Sequence, residues 1–195
     1  MSVNLTKGQK ISLKKEGGEG LANVMMGLGW DAKKAKGFFS KLKGGGAEID
    51  LDAACAMFDE NKRLVDSVYF GQLRSRDGSV QHSGDNRTGA GEGDDEQIVV
   101  RLKDVPVSVK YLVFTISSYS GQTFENIENA YCRLVNQENG QEIARYNLSG
   151  GGADTAQVMA KLYRHEGEWK MHAIGEGTRG GKTFKDILPF ISALL

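Results

Sequence analysis

"AYCRLVNQENGQEIARYNL", residues 130–148, sets two strand-like runs on either side of "ENG". Glycine accepts the positive φ of a tight turn without steric penalty, so the stretch predicts a β-hairpin. The pattern recurs at "AQVMAKLYRH" (156–165) and "EWKMHAIG" (168–175), joined through Gly167, although "AQVMAKLYR" taken alone also fits a helix. Working outward, short β-like runs fall at "KISLKK" (10–15), around Ile11 and Leu13, and at "NVMMGLGW" (23–30) and "AEIDLDAACAMF" (47–58). Others are "SVYF" (67–70), "QIVVRLKDV" (97–105) and "VKYLVFTIS" (109–117). Many short strands without βαβ spacing point to a mainly β protein, a β-sandwich of two antiparallel sheets. "KTFKDILPFISALL" (182–195) reads differently. Phe184, Ile187, Leu188 and Ile191 share a helical face, which predicts a short C-terminal helix.

The 195 residues suffice for one domain with a sizeable core, and a single domain over 1–195 is expected. Residues 33–46, "KKAKGFFSKLKGGG", read as an exposed, basic, glycine-rich loop within it. Twenty-five basic residues balance twenty-five acidic ones, so net charge makes no case for nucleic acid. Cys55 and Cys132 sit in apolar strand-like runs, which suits reduced core thiols in the cytoplasm. There is no signal-peptide pattern in "MSVNLTKGQK" and no apolar run of membrane-spanning length.

Local charge is more informative. "HSGDNRTGAGEGDDE" (82–96) holds five acidic side chains and four glycines. Two carboxylates about 5 Å apart repel by roughly 3 kcal/mol at an effective dielectric of 20. In "AEIDLDAAC", strand alternation puts Ile49, Leu51 and Ala53 on one face and Glu48, Asp50 and Asp52 on the other. Such a row could be a solvated outer face. Beside a loop offering Asp85, Asn86, Glu92, Asp94, Asp95 and Glu96, it points instead to a hard divalent cation, and Ca²⁺ takes six to eight oxygens. No crowd of Cys or His supports zinc, copper or iron, and the spacing is not that of an EF-hand. Asp50 and Asp52 lie roughly 6.6–6.8 Å apart along one strand face, more than one ion spans with both short carboxylates unless the strand twists, so they serve two ions, or one with such a twist, and two Ca²⁺ sites sharing the loop are the expectation.

"GDNRTGAGEGDDE" (84–96), "GLGWD" (27–31), "DLDA" (50–53) and "KLYRHEGEWKMHAIGEG" (161–177) together resemble the TerD family of tellurium-resistance and stress proteins, over nearly the whole chain. The resemblance implies a β-sandwich with Ca²⁺ held between loops at one edge. It also implies a role in resistance to tellurite, phage and colicins. The implied ligands are Asp50, Asp52, Asp85, Asn86, Asp94, Asp95 and Glu96, with Asp31 of "GWD" a weaker one. Glu48 and Glu92 stand where many members carry Asp. Partners would be other tellurium-resistance proteins, a membrane-bound one among the candidates.

Two motifs compete. "GEGTRG" (175–180) matches G-x-G-x-x-G, but too little chain follows for a dinucleotide-binding unit to close. "EGTRGGKT" (176–183) has Glu176 where a P-loop needs its first glycine, and a carboxylate there would oppose phosphate. A glycine hinge before the helix fits better. His82, His165 and His172 lack nucleophile partners at a recognisable spacing. His82 adjoins the acidic loop, where a hydrogen-bonding role fits best. Trp30 and Trp169 read as core anchors. The sequence therefore favours a calcium-dependent interaction module over a catalyst. The alternatives are a metal-dependent phosphoesterase and a simple calcium buffer.

Overall fold

The structure, a computed structural model, describes residues 2–18, 20–32, 50–84, 93–147 and 152–195. Its elements are β1 (Val3–Leu5), β2 (Lys10–Ser12), α1 (Leu13–Gly17), β3 (Asn23–Ala32), β4 (Leu51–Phe58), β5 (Leu64–Val68), β6 (Val80–His82), β7 (Glu96–Arg101), β8 (Tyr111–Ser118), β9 (Ile127–Asn136), β10 (Glu142–Asn147), β11 (Ala156–His165), β12 (Glu168–Thr178) and α2 (Leu188–Ala193). They form two six-stranded sheets, ordered β1-β10-β9-β3-β7-β6 and β2-β12-β11-β8-β4-β5. β1 lies parallel to β10, while the other pairings are antiparallel. The parallel edge follows from the crossover after β1. Gln9 N–H donates to Thr6 O and Gly8 takes φ 83°, carrying the chain from the first sheet to the second.

Both expected hairpins form. Between β9 and β10, Asn136 N–H donates to Gln141 O and Gly140 takes φ 71°. Between β11 and β12, Glu166 (φ 51°) and Gly167 (φ 79°) are both left-handed, the signature of a two-residue type I′ turn. β11 pairs with β12 on one side and β8 on the other, so tertiary pairing overrides the helical reading of 156–165. The "KISLKK" strand stops at Ser12, whose Oγ accepts the Lys15 N–H (3.2 Å) and caps α1.

Between the sheets, Leu51, Ala53, Cys55 and Met57 of β4 pack with Met26, Leu28, Ile98 and Leu134 of the first sheet. The other face of β4 is buried as well. Ala54, Ala56 and Phe58 pack under Phe184, Ile187 and Ile191. The expected apolar face of the C-terminal segment therefore covers the second sheet, but the helix is only six residues long. Asp186 Oδ2 accepts the N–H groups of Lys182 and Thr183 and the Thr183 hydroxyl, which closes a turn around Phe184 before the helix begins. Pro189 then starts the helix where a missing N–H costs nothing.

Candidate functional site

β3 runs between β7 and β9 and contributes "GLGWD". A Cβ on Gly27 would stand 2.2 Å from Asp94 Oδ2, and one on Gly29 would stand 2.5 Å from Tyr131 Cζ. Glycine is required at both positions because those side chains lie across the strand. The Asp94 side chain is fully buried. Arg133 grips it twice, Nε to Oδ1 at 2.7 Å and Nη2 to Oδ2 at 3.0 Å. The Tyr131 hydroxyl faces Asp94 Oδ1 (3.1 Å) and donates to Gly93 O (2.8 Å). Arg145 lies 4.3 Å over the Tyr131 ring and pairs with Glu142 (2.7 Å). The hydrogen bonds to Asp94 hold the Arg133 guanidinium above its ordinary pKa. Burial, aided by the Asp94 charge, pushes the Tyr131 phenol up to about 12.

Asp95 extends the β3–β7 ladder. Its N–H donates to Leu28 O, and its carboxylate accepts the Trp30 N–H (2.8 Å). Asp31 follows on β3, at a register shift against β9, and accepts from Asn129 Nδ2 (2.8 Å). Burial holds the Asp95 carboxyl above the usual range. The Trp30 N–H opposes that shift, while the charges of Asp31, Glu96 and Asp94 add to it. A cavity of about 630 Å³ opens here, lined by Asp31, Asp95, Asn129, Tyr131 and Arg145 among others.

Glu96, fully buried, reaches from the first sheet to the second. Its Oε2 accepts the Ala53 N–H (2.7 Å). β5 pairs with β4 only from Cys55 onward, so the carboxylate serves a backbone group beyond the end of that ladder. His82 Nε2 lies 3.3 Å from the same oxygen, and His82 Nδ1 accepts the Gly84 N–H (3.0 Å). Both ends of the acidic loop are thereby tied to the sandwich.

Asp50 precedes β4 and Asp52 is its second residue. Asp52 is buried and opposite Ser117, and Asp50 O accepts the Tyr119 N–H. A solvated outer face for this row is thus excluded at Asp52. Asp31, Asp94, Asp95 and Glu96 gather at the end of β3, and Glu96 joins that group to β4 one residue beyond Asp52. Among the described residues, no group of three His, Cys, Asp or Glu side chains is placed to hold a metal ion. Glu48, Asp85, Asn86 and Glu92 lie outside the described residues, as does the 33–46 loop. Sequence reasoning missed Tyr131, Arg133 and Asn129. Tyr131 and Arg133, two apart on one strand face, were the available signal.

Two of the three "GEGTRG" glycines serve packing. A Cβ at Gly175 would strike the Tyr146 hydroxyl at 1.9 Å, and one at Gly177 would strike Asp154 at 2.0 Å. Cys55 and Cys132 are free and buried. Burial pushes the Cys55 thiol far up and Cys132 to about 12.

The TerD domain pattern matches residues 1–188. The chain belongs to the TerD family. It is 45% identical to the tellurium resistance protein TerZ of Serratia marcescens, over 95% of this chain and 94% of that one. It is 47% identical to the stress response protein SCP2 of Bacillus subtilis (strain 168), over 91% and 94%. In structure it resembles a homologue of telluride resistance protein (TerD) from Streptomyces coelicolor A3(2). The TM-score is 0.69 at 20% identity, covering 89% of this chain and 98% of that one. This TerD-family chain thus sits among tellurium-resistance and stress-response proteins. No helix among its described residues is long and apolar enough to cross a membrane.

Proposed function

We propose that this TerD-family chain is a calcium-binding interaction module of the tellurite and stress response. The observation that carries the reading is the Glu96–Ala53 hydrogen bond, which brings the root of the acidic loop against the start of β4. Glu96 thereby links the end of β3, where Asp31 and Asp95 lie, to the start of β4, where Asp50 and Asp52 lie. The donor set is all oxygen, and Asp95, whose pKa is raised by burial and then by the neighbouring charges of Asp31, Glu96 and Asp94, sits among carboxylates, so a hard divalent cation fits it. Asp31, Asp50, Asp52 and Asp95 do not by themselves form a metal-holding group, so each ion would be completed by Asp85 and Asn86 from the loop, with Glu48 and Glu92 as further donors. Asp94 and Glu96 serve by fixing the loop root through Arg133 and Ala53. When bound, Ca²⁺ supplies charge neutralisation, and the loop becomes a defined surface for partners among other tellurium-resistance proteins. A cytoplasmic location suits the two reduced thiols.

Calorimetric titration with Ca²⁺ should give two ions per chain. Absence of binding heat would refute the reading, and a stoichiometry of one would refute the shared loop. Pull-down from a tellurite-resistant lysate should recover partners with Ca²⁺ and lose them in chelator, whereas a simple buffer would show no difference.

The thiols bear on chemistry. Thiolate is the reactive form, and burial disfavours it at both cysteines. The purified protein should therefore not reduce tellurite with NADPH or thiol above the reagent blank. Protein-dependent blackening that disappears in a Cys55→Ser, Cys132→Ser double variant would contradict this.

A further inference from the structure

The outer face of the second sheet carries two lysines and a histidine in one row. Lys10 of β2 stands opposite His172 of β12, and His172 stands opposite Lys161 of β11. Their strand neighbours Ile11, Met171 and Leu162 point into the core, so alternation turns all three outward. Adjacent strands lie about 4.8 Å apart, which makes the row roughly 10 Å long. Lys62, in the turn after β4, adds a further positive charge close enough to act on Lys161.

The neighbouring charges that act on Lys161 and His172 are all positive. Burial lowers the Lys161 pKa first, and Lys10 and Lys62 lower it further. Burial likewise lowers that of His172, followed by Lys161 and Lys10. The acids of β12 are engaged elsewhere. Glu168 accepts from Ser12 Oγ (2.8 Å) and pairs with Lys170 (3.5 Å), while Glu176 pairs with Lys7 (2.9 Å). Lys161 Nζ donates to Leu194 O just after α2 (3.1 Å) and lies 5.5 Å from the centre of the Tyr111 ring, while Lys62 Nζ donates to Leu195 O. His172 Nδ1 is buried without a hydrogen-bond partner.

We infer that the row Lys10–His172–Lys161 is a binding site for a doubly charged oxyanion, such as a phosphate group or tellurite. Such an ion between the three groups offsets the repulsion between the lysines, favours the protonated form of His172 and gives ammonium and imidazolium donors acceptors to meet. Because the chain as a whole is neutral, recognition is local and not steered from a distance. None of the three residues is a candidate metal ligand, so the inference stands apart from the calcium reading.

The test is an NMR titration of the histidine ring signals of the full chain in chelator, at constant ionic strength. Inorganic phosphate is added in one arm and tellurite in the other. An anion within 4–6 Å of an imidazole shifts its pKa by about 1–3 units, so the pKa of His172 should rise saturably by roughly one unit. His165, exposed beside Glu166, is the internal control and should stay put. Lys161→Gln and, separately, the exposed Lys10→Gln should each weaken the apparent affinity about tenfold, the loss of one charge-assisted hydrogen bond. An unchanged melting temperature in Lys10→Gln excludes misfolding as the cause. Response in either arm identifies the source of the oxyanion. A His172 titration that neither anion moves, or one that His165 follows equally, overturns the site.

Discussion

Removing Ca²⁺ should lower the melting temperature by roughly 5–10 °C. A ligand that binds only the folded state at a hundredfold excess over Kd stabilises it by about 2.7 kcal/mol. For a chain of this length, 1 kcal/mol corresponds to about 2–4 °C. The direction follows from the site itself. Asp95 is partly buried beside Asp31, Asp94 and Glu96, and all three charges oppose its ionisation. A divalent cation relieves that repulsion, and chelation restores it. Ca²⁺ should recover the loss better than Mg²⁺, because Mg²⁺ demands tighter octahedral geometry and gives up its water reluctantly. The measurement is thermal unfolding in excess chelator, followed by readdition of each metal. Superimposable curves with and without chelator would remove the basis for a metal site.

What was legible in the sequence was what is local. Gly140 and Gly167 announce their hairpins because a turn is decided within a few residues, and the strands on either side carry their own pattern. β1 and β6, three residues each at a sheet edge, are too short for alternation to reveal. The early stop of the 10–15 strand depends on Ser12 capping α1, a competition that the apolar pattern does not encode. The acidic residues around the site were also readable, because crowding like charges on a glycine-rich loop needs a compensating partner. Their division of labour was not. Gly27 and Gly29 look like weak points in a strand until Asp94 and Tyr131, more than sixty residues later, are seen to fill the space above them. Arg133 reads as an ordinary outward residue of β9, and only the folded register brings it onto Asp94.

That pairing separates two roles for adjacent aspartates. Arg133→Met keeps much of the side-chain length but leaves the buried Asp94 carboxylate with only the Tyr131 hydroxyl and its surroundings. Breaking a fully buried ion pair costs about 3–5 kcal/mol, and the partial exposure of Arg133 reduces this to about 2–3 kcal/mol. The loss should appear in chelator, as a drop in melting temperature of roughly 5–10 °C, because the clamp acts without metal. Gly27→Ala should behave alike, since its Cβ displaces Asp94 from the same guanidinium. Asp95→Asn should do the opposite. It removes one charge from a repulsive group and keeps an oxygen for the Trp30 N–H, so the chelated protein should melt at the same temperature or slightly higher, while calcium binding weakens. Measuring both variants in chelator and in Ca²⁺ decides the assignment. An Arg133→Met protein that melts like the wild type in chelator would show that Asp94 is not clamped. An Asp95→Asn protein that loses stability in chelator but binds Ca²⁺ undiminished would exchange the roles of the two residues.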